Sequence, residues 1–211
     1  MTKAISKEAR ELEKYFKEKP GVNYTNRNIS SIKDGRNSAG LIYNIIKMGN
    51  IQSVLEVGAN LGTNLSKLKG KCYKIYGVDI NEEALKTAQS LYPFAHFQKG
   101  SAYNLPFEDD SFELVFTRGV LIHIPVKNDD RNKVLKEMLR VSSKYIVNIE
   151  YACEDENKHY EIVNWRENQN LWRINVDKYW KDIGGVEIKM KEEVPLVLDK
   201  ENMTLWVVKK K

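Results

Sequence analysis

Cysteine and histidine are scarce in this chain. Its 211 residues include two cysteines, Cys72 and Cys153, and three histidines. The cysteines lack the close spacing of a metal-binding or redox pair, and His96, His123 and His159 are scattered along the sequence. The sequence therefore predicts reduced thiols and no metal site.

Long apolar runs are absent as well. No stretch approaches the roughly 20 apolar residues that cross a bilayer, and residues 1–19 are charged and amphipathic, unlike a signal peptide. These features predict a soluble, cytoplasmic protein without a membrane partner. The length suits one α/β domain over residues 1–211. Within it we expect a helical extension or lid over 1–50 and a substrate-side insertion over 151–175.

The charge balance is basic, and lysine is locally concentrated only at 189–191 and at 209–211. The formal net charge is +5 and the isoelectric point is about 9.0. This balance is compatible with a nucleic-acid partner or an anionic small substrate. The lysines, however, are spread along the chain and mixed with acids, which favours an ordinary solvated surface.

Apolar runs and amphipathic segments alternate along most of the chain. This alternation is typical of a parallel sheet covered on both faces, and two last strands read as a closing hairpin. We predict a Rossmann-like, doubly wound α/β fold with a seven-stranded, mostly parallel sheet and an antiparallel C-terminal strand. The predicted strands lie near 53–57, 74–79, 95–98, 112–117, 144–150, 186–191 and 203–209, and the predicted helices near 3–18, 34–48, 61–69, 81–90, 129–142 and 175–183.

The exit of the first predicted strand carries the pattern Glu56-x-Gly58-x-x-x-Gly62. Glycine permits a tight turn and a close approach of a ligand. A carboxylate there suits a ligand with a positive amino group, such as S-adenosylmethionine. A dinucleotide fingerprint would need glycine at position 60, where this chain has Asn60. Another nucleotide ligand, or a plain strand-to-helix turn, remains an alternative.

A second strand exit carries Asp79, followed by Ile80. Asp79 lies roughly 20 residues past the glycine turn, the spacing at which an acid meets the ribose hydroxyls of an adenosine ligand. A carboxylate accepts two hydrogen bonds at once, and Ile80 is placed to pack on the adenine. The alternative is an acid that serves only the start of the next helix.

Ligands of doubly wound sheets bind beyond the carboxyl ends of the strands. Polar residues lie at five such predicted strand ends. Their shared position is stronger evidence for a ligand site there than any single motif. They are Glu56, Asp79, Ser101, the pair Thr117 and Arg118, and the pair Glu150 and Tyr151.

Residues 53–150 resemble the class I S-adenosylmethionine-dependent methyltransferases. The similar segments are 55–62, 77–80 and 104–116, the last an Asn-Leu-Pro-Phe turn followed by Asp-Ser-Phe-Glu-Leu-Val. Segments 24–28, 117–124 and 171–173, together with Asn60, also resemble methylases associated with pseudaminic acid and related surface-sugar biosynthesis. That narrower resemblance does not define the methyl acceptor.

The resemblance implies a role for each strand exit. Glu56, Gly58, Asn60 and Gly62 would face the methionine part of S-adenosylmethionine, with Asp79 on the ribose and Ile80 on the adenine. Ser101 and Ala102 would meet the adenine edge, where the family often has an acid. Thr117 and Arg118 would line the sulfonium end or the acceptor pocket, and Tyr24 and Arg27 would belong to an N-terminal lid, with a surface loop as the alternative.

Fewer sequence features point to the residues that bind the methyl acceptor or act on it. His123 is the first candidate for a general base because its pKa can lie near neutrality. Glu150 is the second candidate. The alternatives are a histidine that packs in the core and an acid on the surface.

The pairs Trp165-Arg166 and Trp172-Arg173 are seven residues apart, and on a helix they would share one face. Trp can stack on a sugar and Arg can bind a phosphate, whereas the alternative is a structural anchor.

We therefore expect a methyltransferase that acts on a small molecule, a sugar or nucleotide-activated sugar in surface glycan biosynthesis. A methyltransferase for RNA or protein, an NAD(P)-binding oxidoreductase and a non-catalytic S-adenosylmethionine-binding protein are the competing hypotheses.

Overall fold

The computed structural model describes residues 4–18, 25, 29, 38–126, 129–163, 171–195 and 202–211. Helices and strands alternate through most of these ranges. The helices are α1 (Lys7–Lys17), α2 (Ala39–Gly49), α3 (Glu82–Leu91), α4 (Asp130–Val141) and α5 (Val176–Ile183). The strands are β1 (Ser53–Val57), β2 (Lys74–Asp79), β3 (His96–Lys99), β4 (Phe112–Arg118), β5 (Ser142–Glu150), β6 (Tyr160–Val163), β7 (Leu171–Ile174), β8 (Val186–Val194) and β9 (Met203–Lys210).

Seven of the strands form one sheet in the order β3-β2-β1-β4-β5-β9-β8. The first five strands of this sheet pair in parallel, and β9 runs antiparallel to both β5 and β8. The predicted seven-stranded, mostly parallel sheet with an antiparallel last strand is confirmed. The short strands β6 and β7 pair with each other in a separate antiparallel sheet.

The sheet buries side chains on both faces. Along β1, Val54 and Leu55 point to opposite faces and belong to two different apolar clusters, as the two-residue period of a strand requires. The cluster on one face includes Met138 of α4 and Trp180 of α5, and the cluster on the other includes Ile42 of α2. This burial on both faces explains why the central strands read as apolar runs.

The helix predicted near 61–69 does not form. A single turn of 3-10 helix, Thr63–Leu65, occupies this segment. Gly62 has a φ of 67° in the left-handed region, and the Asn64 side chain accepts a hydrogen bond from the Ser38 amide and donates one to Glu56. Side chains that bond in this way compete with helix formation, so the prediction was wrong for a local reason.

The segment after β5 is a hairpin where described, so Trp172 and Arg173 do not lie on a helix face as considered from the sequence. Trp172 and Arg173 lie on strand β7, with Trp172 paired to Ile162 of β6. Trp165 and Arg166 lie outside the described residues. The backbone amide of Ile174 donates to Tyr151 at 2.9 Å, which joins this hairpin to the end of β5.

Helix α1 is fixed at its first turn to a distant part of the fold. The Ser6 hydroxyl accepts from the Ala9 amide at 3.0 Å and donates to the carboxylate of Asp130, which is fully buried at the start of α4. The Ser6 amide donates to the same carboxylate at 3.2 Å. Within the described ranges, no helix has the length and apolarity needed to cross a membrane.

Candidate active site

A pocket of about 210 Å³ lies at the carboxyl ends of β1, β2 and β4, with α1 across it. It brings together eight residues predicted from the sequence. These are Glu56, Gly58, Asn60, Asp79, Ile80, Ala102, Arg118 and His123.

Glu56 places a nearly inaccessible carboxylate in the pocket wall. One oxygen, Oε1, accepts from Asn64 Nδ2 at 2.6 Å, whereas Oε2 is buried and has no hydrogen-bond partner among the described residues. Burial raises the pKa of Glu56 to about 8, and the hydrogen bond from Asn64 and the nearby charge of Arg118 only partly oppose that shift. A buried carboxylate with an unpartnered oxygen favours a ligand that brings a cationic donor.

Asp79 joins the turns that follow β1 and β2. Its Oδ2 accepts from the Asn60 amide and its Oδ1 from the Asn81 amide, both at 2.8 Å. Burial raises the pKa of Asp79, and backbone N–H groups, including that of Ile80, oppose the rise. Each oxygen has a second lone pair, so the carboxylate retains the capacity to accept from two hydroxyl groups.

Gly58 is required by the conformation of the turn after β1. Its φ is 74°, and a Cβ at this position would lie 2.5 Å from Cγ2 of Val120. Asn60, two residues later, also has a positive φ of 46°. Its Nδ2 donates to the Thr25 hydroxyl at 3.1 Å, while its buried Oδ1 has no partner among the described residues.

Gly62 does not line the pocket, which corrects its expected place beside the ligand. A Cβ at Gly62 would lie 2.6 Å from the ring of Phe97 on β3. Its positive φ and this packing account for the glycine.

Ser101 and Ala102, at the exit of β3, occupy different positions. Ala102 lines the pocket with Tyr103. The Ser101 hydroxyl accepts from the Tyr103 amide at 3.1 Å and donates to the carboxylate of Glu13 on α1. Ser101 thus contacts Glu13, which lines the pocket, but does not line the pocket itself.

Thr117 and Glu150 do not line the pocket, which corrects the expected lining role of Thr117 and the candidacy of Glu150 as general base. Both are fully buried. Thr117 accepts from Asn148 at 2.9 Å, and Glu150 Oε1 accepts from the amides of Val120 and Leu121 at 3.1 and 3.2 Å. Burial raises the pKa of Glu150 to about 7. Glu150 holds the backbone of the pocket loop in place, so it is a positioning residue.

His123 does line the pocket, at the end of the 3-10 helix Leu121–His123. Its ring meets the ring of Phe16 edge-on, with the centroids 5.3 Å apart. Arg118, on the same wall, donates from Nε to the Ser38 hydroxyl at 2.9 Å.

The expected lid over 1–50 was assigned to Tyr24 and Arg27, and the contribution of α1 to the pocket was not predicted residue by residue. Leu12, Glu13 and Phe16 line the pocket from one face of this helix. The amphipathic pattern of residues 3–18 was the signal, but it does not say what the apolar face covers. The predicted lid residues Tyr24 and Arg27 lie outside the described residues.

The described substrate candidates on β7 do not line the pocket. The Trp172 ring lies 5.4 Å from the guanidinium carbon of the buried Arg131, and Arg173 pairs with Glu154. In the described part of the chain, no group of three or more His, Cys, Asp or Glu residues is placed to hold a metal ion.

The sheet order, the reversed last strand and the pocket at the strand ends define the class I methyltransferase fold. A solved structure of magnesium protoporphyrin IX methyltransferase from Synechocystis PCC 6803, with S-adenosylhomocysteine bound, superimposes with a TM-score of 0.71. The two sequences are 12% identical, and the alignment covers 96% of this chain and 99% of that one. This likeness concerns the fold.

Sequence comparison points to the same class. Residues 55–144 match the family model described as "Methyltransferase domain". A Haemophilus influenzae protein described as "Uncharacterized protein" is 39% identical over 43% of this chain and 38% of its own length. The uncharacterized methyltransferase YcgJ of Bacillus subtilis is 30% identical over 48% of this chain and 42% of its own length. The chain thus spans about two-fifths of these relatives. Residues 55–144 are thus similar in sequence to a methyltransferase domain, and the chain is similar in fold to class I methyltransferases.

Proposed function

We propose that this chain is a methyltransferase that binds S-adenosylmethionine between Glu56 and Asp79 and transfers its methyl group to a small molecule. The observation that carries the proposal is the unpartnered, buried Oε2 of Glu56 in the same pocket as Asp79. The cofactor's amino group supplies the cationic donor that Glu56 lacks. Its ribose hydroxyls supply donors for the free lone pairs of Asp79.

A dinucleotide suits this pocket less well. A pyrophosphate is anionic, so it brings no donor for Glu56 Oε2 and opposes the ionisation of both Glu56 and Asp79, which flank the turn that would hold it. Asn60 also stands where the dinucleotide fingerprint has its second glycine. The electrostatics of the pocket therefore favour a cationic ligand.

The residues of the pocket align and shield the reacting groups. S-adenosylmethionine, when bound, supplies an activated methyl group. The protein has to align the acceptor with that group and keep water away, and Phe16 and Leu12 of α1 form an apolar cover for this purpose. His123, in the pocket wall, is placed to accept a proton from an acceptor hydroxyl.

A thermal-shift titration tests the cofactor. S-adenosylhomocysteine should raise the melting temperature in a saturable way, since a ligand that binds only the folded state stabilises by about 2.7 kcal/mol at 100 times its Kd. NADH serves as the matched control and should have no effect. A shift with NADH and none with S-adenosylhomocysteine would contradict the proposal.

For the acceptor, we propose a sugar or a nucleotide-activated sugar of surface glycan biosynthesis. The proposal is motivated by the sequence resemblance and by the cationic Arg118 in the pocket wall, which suits an anionic group. The hairpin β6–β7 is a second candidate contact, through Trp172. Arg173 is paired with Glu154, so it is a weaker candidate for binding a phosphate of the acceptor than the sequence indicated.

Radiolabelled S-adenosylmethionine with separate pools of nucleotide sugars, RNA and protein tests the acceptor. Label in the nucleotide-sugar pool is the expected outcome. Label only in RNA or protein would replace the acceptor proposal while leaving methyl transfer intact. Arg118→Lys, which keeps the charge but loses the planar guanidinium, should raise KM for the acceptor more than it lowers kcat.

A further inference from the structure

The pocket holds a carboxylate that comes from outside the sheet. Glu13 of α1 lines the pocket together with Ala102 and Tyr103, which follow β3. Its side chain is 16% exposed. No acid follows β3 in the sequence, where Ser101 and Ala102 stand, so α1 brings an acidic group to a strand end that lacks one.

The neighbours of Glu13 show which kind of group it would accept. One carboxylate oxygen accepts from the Ser101 hydroxyl, and the other lies 3.3 Å from the ammonium of Lys17. Each oxygen of an ionised carboxylate can accept more than one hydrogen bond and can donate none. Glu13 therefore selects a donor in the pocket and repels an acceptor.

The topology places Glu13 at the nucleobase end of the proposed cofactor site. Strand β3 lies beside β2, with Asp79 in register with Lys99, two residues before Ser101. A nucleoside whose ribose is held by Asp79 would extend its base past Ile80 toward the exit of β3. At that exit Ala102 and Tyr103 form part of the wall, and Glu13 is the carboxylate that lines the pocket there.

We propose that Glu13 recognises the 6-amino group of the cofactor's adenine, so that the choice of purine depends on the docking of α1. This inference rests on the proposed function. Two contacts hold α1 against the rest of the fold. At the start of α1, Ser6 donates to Asp130, and near the end of α1 the ring of Phe16 contacts the ring of His123. An inosine-type base presents a 6-oxo group, an acceptor that would face the carboxylate.

The test compares two ligands, S-adenosylhomocysteine and S-inosylhomocysteine, by isothermal titration calorimetry. The wild type should prefer the first, and Glu13→Ala and Glu13→Gln should each reduce that preference. An amide side chain can accept from a 6-amino group or donate to a 6-oxo group, so it does not discriminate. The expected fall in the affinity ratio is about tenfold or more, as for one hydrogen bond to a charged group.

Glu11→Gln is the matched control, because Glu11 is 64% exposed on the same helix. It should leave the ratio unchanged. If Glu13 only held α1 in place, its substitution would alter the affinities for S-adenosylhomocysteine and S-inosylhomocysteine by the same factor. A fall of less than about threefold in the ratio of these affinities for both Glu13 variants would therefore overturn the inference. If the wild type does not bind S-adenosylhomocysteine at all, the proposed function itself fails, which is a distinguishable result.

Discussion

Cofactor binding should release a proton from Glu56. In the free protein the Glu56 carboxyl is buried, one of its oxygens has no partner among the described residues, and its pKa is about 8. A cationic amino group placed beside Oε2 stabilises the ionised form and lowers that pKa. The group therefore changes protonation state when the ligand arrives.

The size of the effect follows from the pKa. A group with a pKa of about 8 is roughly nine-tenths protonated at pH 7. If pairing returns the pKa toward its ordinary value, about 0.9 proton leaves per cofactor bound at pH 7. Because the bound state holds fewer protons, affinity should rise with pH, by up to about tenfold per unit between pH 5 and pH 8.

Calorimetry in two buffers measures this release. Titration of S-adenosylhomocysteine in phosphate and in Tris at pH 7 gives the number of protons from the dependence of the enthalpy on buffer ionisation. Glu56→Gln is the control, since the isosteric amide keeps the oxygen that accepts from Asn64 and cannot titrate. The variant should release close to zero protons and show a flat pH dependence of affinity.

Equal proton release by the wild type and the variant would refute the reasoning. It would show that the Glu56 carboxylate does not meet the cationic group. A second readout follows from the same shift. In the free protein the folded-state pKa of Glu56 lies above the ordinary value of 4.5, so its contribution to stability is complete below about pH 4.5 and is lost as pH rises toward 8. Wild-type stability should therefore decline more over this range than that of the variant.

Three further substitutions probe the pocket. Asp79→Ala should weaken S-adenosylhomocysteine binding by about 1.5–3 kcal/mol, the range for hydrogen bonds to charged groups; unchanged affinity in calorimetry would contradict the ribose assignment. His123→Ala should lower turnover by about 10²–10⁴, as for loss of a general base, with cofactor affinity retained, and a wild-type rate would exclude His123 as base. Gly58→Ala should destabilise the fold by about 1–3 kcal/mol, because its Cβ would meet Val120 at a positive φ; an unshifted urea midpoint would contradict this.

The strands of the sheet could be predicted because burial on both faces leaves a readable pattern. Strands β1 and β2 begin and end at the predicted residues, 53–57 and 74–79. Asn81 directly precedes the helix after β2, and its side chain caps that helix by accepting from the Ala84 amide at 3.1 Å, a role for which asparagine is preferred. These features depend on neighbours within a few positions, which is the range over which a sequence pattern is informative.

The direction of a side chain at a strand end could not be predicted in the same way. Glu56 and Glu150 both stand at the ends of buried strands and both are inaccessible, yet Glu56 lines the pocket and Glu150 binds the amides of Val120 and Leu121 behind it. The difference arises from the loop after β4, which folds over the end of β5. No local signal distinguishes the two acids.

Contacts between segments far apart in the sequence could not be predicted from local sequence patterns either. Glu13 and Ser101 are separated by 88 positions, and Ser6 and Asp130 by 124. The spacing of the Trp-Arg pairs would place them on one face of a helix, but pairing with β6 places Trp172 on a strand. Tertiary pairing overrides a local periodicity of this kind.

The central claim is that the carboxylates of Glu56 and Asp79 hold the two ends of one S-adenosyl nucleoside. A crystal structure of the protein with S-adenosylhomocysteine tests it most directly. The account predicts the ligand's amino group within hydrogen-bond distance of Glu56 Oε2 and its ribose hydroxyls on Asp79. An empty pocket at saturating ligand, or a ligand whose amino group and ribose contact other residues, would contradict it.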